Sequence, residues 1–214
     1  ANKTTPKTSA PALADAMELF RHYAEAGREI VCFSISAGMS TSGNVMRLAA
    51  EELGASDRIK VIDSANLSTG IGLLVVEAAI MAKNNRTASQ IVSEIEKLKP
   101  NVRASFVVDT LTYLYRGGRC NAVAAMAGGV LKLHPRIVVE DGAMNASKKH
   151  RGKIASVVMN YVKDMEKDLK KARPERVFIT HSGCEQETVE KVRAYLKELD
   201  IFDEILETRA GGVV

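Results

Sequence analysis

The sequence contains no tryptophan, five tyrosines and five phenylalanines. It therefore offers no aromatic platform on which nucleic-acid bases could stack. Charge gives that partner no support either. Thirty Lys and Arg stand against 26 Asp and Glu, and a net +4 is too mild for a phosphate-backbone footprint. The three cysteines, Cys32, Cys120 and Cys184, are far apart and form no C-x-x-C pair. No Cys/His cluster has zinc spacing, so neither a disulfide framework nor a metal site is expected, and the cysteines read as reduced thiols. Long hydrophobic runs are missing. The longest apolar stretch, Gly70 to Ala82, is broken by Glu77, is too short to cross a bilayer and reads as a buried helix. The opening Ala1-Asn2-Lys3-Thr4-Thr5-Pro6 is polar and lacks the apolar core of a signal peptide. These absences predict a cytoplasmic protein with no stable membrane insertion and no nucleic-acid partner.

The 214 residues, 46% hydrophobic and 26% charged, suffice for one large domain or two small ones. In the first half, strand and helix patterns alternate. Pro11, behind the hydroxyls of Thr8 and Ser9, suits the first turn of a helix carrying Leu13, Met17, Phe20 and Ala24. Ile30-Val31-Cys32-Phe33 and Ile59-Lys60-Val61-Ile62-Asp63 read as buried strands, separated by a helix bearing Val45, Leu48, Ala49 and Leu53. A helix from about Thr69 to Lys83 follows. Thr87 and Gln90 have capping-box spacing for another, which Pro100 closes. Such alternation implies parallel strands with crossover helices, a doubly wound arrangement.

The second half differs. Ser105-Phe106-Val107-Val108 is a strand, a short helix runs to Gly117-Gly118, and Ala122 to Leu131 reads as a small-residue helix. Arg136-Ile137-Val138-Val139 leads into Asp141-Gly142, a favoured two-residue hairpin turn. One long helix spans Ile154 to Leu169, and a β-α-β unit runs from Arg176 to Leu206. The fold class is α/β in two domains. A parallel doubly wound half occupies 1–101, and a mixed-sheet α/β half occupies 102–214. The basic run Lys148-Lys149-His150-Arg151 reads as a solvated strand end beside the hairpin.

The segment Ser36-Ala37-Gly38-Met39-Ser40-Thr41-Ser42-Gly43 is the most informative. It lies after a buried strand and before a helix, at the strand end where open α/β sheets place ligands. It supplies four hydroxyls and the free N–H groups of a helix N-terminus, which attract an anion. A capped helix start needs only one hydroxyl. Asn44 stands where a phosphate-binding loop needs Lys, so a P-loop is not expected. The segment also comes close to a nucleophile elbow. A serine hydrolase would need a base, and His134, His150 and His181 are not assignable to that role by spacing. Thr8 and Ser9 form a second hydroxyl cluster at a helix start. Arg119, after two glycines, is suited to a carboxylate or equally to a surface ion pair.

Five segments, in order, carry a resemblance: Lys7-Thr8-Ser9-Ala10-Pro11, Ile35-Ser36-Ala37-Gly38-Met39-Ser40, Val61-Ile62-Asp63-Ser64, Leu114-Tyr115-Arg116-Gly117-Gly118-Arg119, and Lys132-Leu133-His134-Pro135 with Gly142 beyond it. The chain resembles the DegV family of bacterial fatty-acid-binding proteins over nearly its whole length. The resemblance implies two α/β domains with a long-chain fatty acid held between them as ligand, no cofactor and no catalysis. Its carboxylate ligands map onto Thr8 and Ser40, with Ser9, Ser36, Thr41 and Arg119 in supporting positions. A partner fatty acid kinase that phosphorylates the presented carboxylate for phospholipid synthesis is also implied. So is the lack, in this chain, of the family's opening strand and its closing His-Gly-Pro-Gly stretch. Departures are Ala10 for Gln, Ala37 for Ser, Thr41 for Gly and Gly43 for Tyr. Two other readings compete: a serine esterase or acyltransferase using Ser40, and a lipid-sensing regulatory module.

Overall fold

A computed structural model describes residues 7–119 and 133–211. The chain divides into two compact units. One comprises Thr8–Ala104 with Val139–Met144; the other comprises Ser105–Val138 and the chain from Asn145 onward, together with the N-terminal residues to Lys7.

The first unit contains α1 (Leu13–Glu25), β1 (Ile30–Ser34), α2 (Ser42–Glu52), β2 (Ile59–Asp63), α3 (Ser68–Lys83) and α4 (Ala88–Leu98). β1 and β2 run parallel, with Ile30 opposite Ile59 and Ser34 opposite Asp63. Alternate strand residues serve opposite faces. Ile30, Cys32, Ile59 and Val61 pack with Ala16, Phe20, Ala49 and Ala50 of α1 and α2. Val31, Phe33 and Ile62 pack with Leu74, Ala78, Ile91 and Ile95 of α3 and α4. β1 is therefore apolar from Ile30 to Phe33 without alternation, as a sheet covered on two faces requires, while β2 carries Lys60 between Ile59 and Val61. The capping box at α4 is present. Thr87 Oγ1 accepts from the Gln90 amide at 3.3 Å, and Gln90 Oε1 accepts from the Thr87 amide at 3.1 Å. Pro100 falls in a 3₁₀ turn, Lys99–Asn101, that closes the helix.

The start of α1 departs from the sequence expectation. Its cap residue is Ala12, extended at φ −72° and ψ 152°, with no side-chain cap bond. Pro11 therefore lies before the helix. The hydroxyls of Thr8 and Ser9 lie too far upstream to reach the N2 and N3 amides that a cap serves.

The second unit contains β3 (Ser105–Val107), α5 (Thr112–Gly117), β4 (Leu133–Glu140), β5 (Ala143–Arg151), α6 (Ile154–Asp164), α7 (Glu166–Leu169), β6 (Arg176–His181), α8 (Gln186–Glu198) and β7 (Glu204–Arg209). The hairpin tip, 139–144, groups with the first unit. β3, β4 and β5 form a three-stranded sheet in that order, with β3 antiparallel to β4. β6 and β7 pair in parallel across the α8 crossover. Parallel and antiparallel pairing are both present, but in separate ladders among the described residues. Val162, Val192 and Leu196, with Val177, Ile179 and Ile205, form the core beneath β6 and β7.

Of three further expectations, one is revised, one holds apart from a single residue, and one falls outside the described residues. The single helix from Ile154 to Leu169 breaks at Met165, whose φ −87° and ψ −5° end α6 with its N–H bonded to the Val162 carbonyl. The basic run forms the C-terminal end of β5, where Lys148, Lys149 and Arg151 are exposed, as a solvated strand end requires. Its His150 is buried, and Lys148 pairs with Asp164 at 2.7 Å. The helix expected over Ala122–Leu131 lies outside the described residues, as does Cys120.

Candidate functional site

The loop from Ile35 to Thr41 leaves the carboxyl end of β1 and opens α2. Its backbone is tied to its surroundings almost atom by atom. The Ser36 N–H donates to the Asn66 carbonyl at 2.9 Å, and the Ala37 N–H donates to Asp63 Oδ1 at 3.2 Å. The Ser36 carbonyl accepts from Met39 at 2.9 Å and from Ser40 at 3.1 Å. The Ser36 hydroxyl, 2% exposed as a residue, donates to the Gly142 carbonyl at 2.6 Å and accepts from the Gly38 N–H at 3.2 Å. Met39, within the loop, is buried.

The loop after β2 is tied down in the same place. Asp63 Oδ1 also accepts from the Ala65 N–H at 2.9 Å. Ser64, fully buried, exchanges hydrogen bonds with the backbone of Asn66. Ala65 and Ser68 hold left-handed φ angles of 50° and 49°, uncommon for residues with a Cβ. The hairpin turn completes the arrangement. Asp141 at φ 51° and Gly142 at φ 73° have the double positive φ of a type I′ turn. The two strand ends, the β2–α3 connection and this turn thus meet around Ser36.

The hydroxyl pair Ser40 and Ser42 lies further along the loop. Their Oγ atoms are 2.9 Å apart, and Ser40 Oγ accepts from the Ser42 N–H at 3.2 Å. Ser40 is half-buried and Thr41 exposed. Thr41 precedes α2 at φ −84° and makes no side-chain cap bond. That ordinary φ means the replacement of Gly by Thr costs the loop no left-handed conformation. Gly43 has its own reason: a Cβ there would stand 2.7 Å from Ser34 Oγ. Among the described residues the N–H groups of Thr41 and Gly43 have no acceptor. Two orphan donors at a helix N-terminus, beside a hydroxyl pair, are suited to an anion carrying no proton of its own.

The remaining expected residues are placed differently. Thr8 and Ser9 are exposed in the irregular segment before α1, with no hydrogen bond to the Ser36–Gly43 loop among the described residues. Arg119 is exposed, and its Nη1 donates to the Gly117 carbonyl at 2.6 Å. Ser36 cannot offer its hydroxyl outward, because both its donor and an acceptor lone pair are used internally. No histidine among the described residues hydrogen-bonds Ser40. His134 Nδ1 meets the Val108 carbonyl at 2.9 Å, and His181 Nε2 meets Glu207 at 3.2 Å. Cys32, on β1, donates to the Lys60 carbonyl, and burial pushes its thiol up to about 11. A thiol so protonated at neutral pH is a poor nucleophile. Among the described residues, no three His, Cys, Asp or Glu side chains cluster as metal ligands would.

Three participants escape a reading of the sequence alone. Asp63 carries a weak signal, since an acidic residue ending a strand favours an Asx turn with the amide two residues on. Ser42 is one hydroxyl among several. The Gly142 carbonyl carries none, because its role depends on a residue 106 positions away.

An apolar cleft of about 370 Å³ lies in the same unit, against the α3–α4 face of β1. Val31, Phe33, Val75, Ala78, Ala79 and Ile91 line it, and Glu29 and Arg86 are also in its lining. No helix among the described residues is long and apolar enough to cross a membrane.

Comparison with known proteins places this architecture. The family model described as "uncharacterised protein, DegV family" matches residues 1–214. A DegV domain-containing protein of Deinococcus radiodurans is 30% identical, over 100% of this chain and 75% of that protein. A fatty-acid-binding DegV family protein from Thermus thermophilus superposes with a TM-score of 0.83 at 25% identity, covering 97% of this chain and 73% of that one. A stearic-acid-binding protein from Eubacterium ventriosum does so with a TM-score of 0.78 at 27% identity, over 95% of this chain and 70% of its own. The match over the whole sequence, together with the shared α/β fold, makes this chain a member of the DegV family.

Proposed function

We propose that this protein binds a long-chain fatty acid without chemical change and presents its carboxylate to a partner fatty acid kinase. The observation that carries the reading is the loop at the end of β1: a hydroxyl pair and two unpaired N–H groups at a helix start. Such a set suits an ionised oxygen, and hydrogen bonds to charged acceptors are about twice as strong as neutral ones. The fatty-acid-binding relatives of the same fold supply the ligand class. Ser40 is the central carboxylate ligand, with Ser42 and Thr41 beside it. Thr8 is the second ligand, reaching the carboxylate from the segment before α1, with Ser9 next to it. Each buried methylene of the acyl chain contributes about 0.8 kcal/mol, so the chain sets affinity and the loop sets which head group is accepted.

Mass spectrometry of the protein purified from bacteria should reveal a co-purified fatty acid. Absence of one, with no uptake of added oleic acid, would count decisively against the reading. Ser40→Ala and Thr8→Ala should each weaken oleic acid about tenfold, as expected for a lost charge-assisted hydrogen bond, and oleyl alcohol much less. Equal losses for acid and alcohol would remove these residues from the head-group role. The carrier role is tested separately. A fatty acid kinase should phosphorylate oleate only when this protein supplies it; phosphorylation at the same rate without it would leave a lipid-sensing role instead.

A further inference from the structure

We infer that Ser36 and Gly142 form a clamp that decides which groups of the loop face the ligand, making the β4–β5 turn a part of head-group recognition; this rests on the fatty-acid reading above. Between Ala37 and Ser42, five amides could face an anion besides Thr41 itself. The Ala37 N–H goes to Asp63, the Gly38 N–H to Ser36 Oγ, the Met39 and Ser40 N–H groups to the Ser36 carbonyl, and the Ser42 N–H to Ser40 Oγ. Ser36 alone thus takes up Gly38, Met39 and Ser40. What it leaves is Thr41 N–H, Gly43 N–H and the Ser40–Ser42 hydroxyl pair. Ser36 therefore acts by subtraction. Its hydroxyl removes the Gly38 N–H, and its backbone carbonyl the Met39 and Ser40 N–H groups, from the loop's outward set.

Ser36 can hold this arrangement because its own hydroxyl is fixed from the far side. The Gly142 carbonyl accepts its proton at 2.6 Å, which orients the Oγ lone pair toward the Gly38 N–H. The approach is close enough that no side chain fits at either glycine. A Cβ at Gly142 would lie 2.6 Å from Ser36 Oγ, and one at Gly38 would lie 2.9 Å from the Gly142 carbonyl oxygen. Gly142 also holds φ 73°, a conformation that L-residues with a Cβ rarely adopt. The turn is thus shaped to bring one carbonyl to one buried hydroxyl. Ser36 is a positioning residue. It touches no ligand, and its effect reaches the head group through Gly38, Met39 and Ser40.

A purely structural bond would weaken all ligands together. The clamp predicts loss of discrimination instead. The measurement is the affinity of the full chain for oleic acid and for oleyl alcohol, by displacement of a fluorescent fatty acid. In Ser36→Ala and in Gly142→Ala, the preference for the acid should fall about tenfold, the size of one net hydrogen bond, with alcohol affinity changed less than about twofold. Gly142→Ala loosens the clamp from its other side, so it carries the reading if Ser36→Ala does not fold. Amide exchange at Gly38 should accelerate in both. Leu196→Ala, a core truncation in the other unit, should leave the preference intact. If the wild type prefers the acid and both clamp variants keep that preference, the clamp is overturned and the fatty-acid reading stands. If Leu196→Ala loses the preference as the clamp variants do, the effect is general destabilisation and the clamp is likewise overturned. If the wild type binds neither ligand, or both equally, the fatty-acid reading falls and the clamp's role in recognition falls with it.

Discussion

Cys32 and Cys184 show how much a residue's surroundings alter one chemistry. Burial raises the thiols of both, Cys32 to about 11. Since the thiolate is the reacting form, Cys32 holds on the order of 0.1% thiolate at pH 8. Iodoacetamide at that pH should alkylate Cys32 more slowly than Cys184, read by peptide mass spectrometry. Equal labelling of the two would contradict the packing of Cys32 between β1 and α1–α2. From the sequence the two thiols look alike, because local sequence carries no information on depth. The serines divide in the same way. Hydroxyl density around Ser40 marks the loop as a candidate site from composition and context alone. The inward turn of Ser36 depends on a carbonyl 106 residues away, beyond the reach of any local pattern.

At the scale of elements, short-range signals are the dependable ones. The Thr87–Gln90 capping box is a contact between residues three apart, and spacing announces it. Thr87→Ala should lower stability by about 1 kcal/mol in urea denaturation, with Gln90→Ala smaller. Elements that depend on distant partners are less legible. Nothing in the periodicity of Ile154 to Leu169 reveals the break at Met165, and α1 starts two residues beyond Pro11. The β6–α8–β7 unit supplies a test in pH. Hydrogen bonds from His181 and then Arg193 hold the Glu207 carboxyl below its usual range. A carboxyl lowered on folding adds stability above the unfolded value, about 4.3. That stability is lost as pH falls through the lower folded value. Urea midpoints measured from pH 6 down to pH 2 should therefore fall less steeply in Glu207→Gln than in the wild type. Superimposable profiles would show that Glu207 is not linked to folding.

At the scale of the whole molecule, a ligand that binds only the folded state stabilises by mass action. At 100 times its Kd a fatty acid adds about 2.7 kcal/mol, which for a chain of this size corresponds to roughly 5–11 °C in Tm. Oleic acid should produce this shift in calorimetry, and the Ser40→Ala protein should show a smaller one at the same concentration. The α/β class, the parallel first half and the hydroxyl-rich loop at a strand end are legible in the sequence alone. Apolar period, caps and turn residues are all local, and a parallel sheet covered on both faces leaves a mostly apolar imprint on its strands, broken here only by Lys60 before the strand ends. The tertiary structure alone decided that residues 139–144 of the hairpin group with the first unit, that Ser36 faces inward, and that Asp63 and Gly142 hold the loop. Those outcomes are set by which buried donors find which acceptors once the chain has closed on itself, a condition that no stretch of sequence states alone.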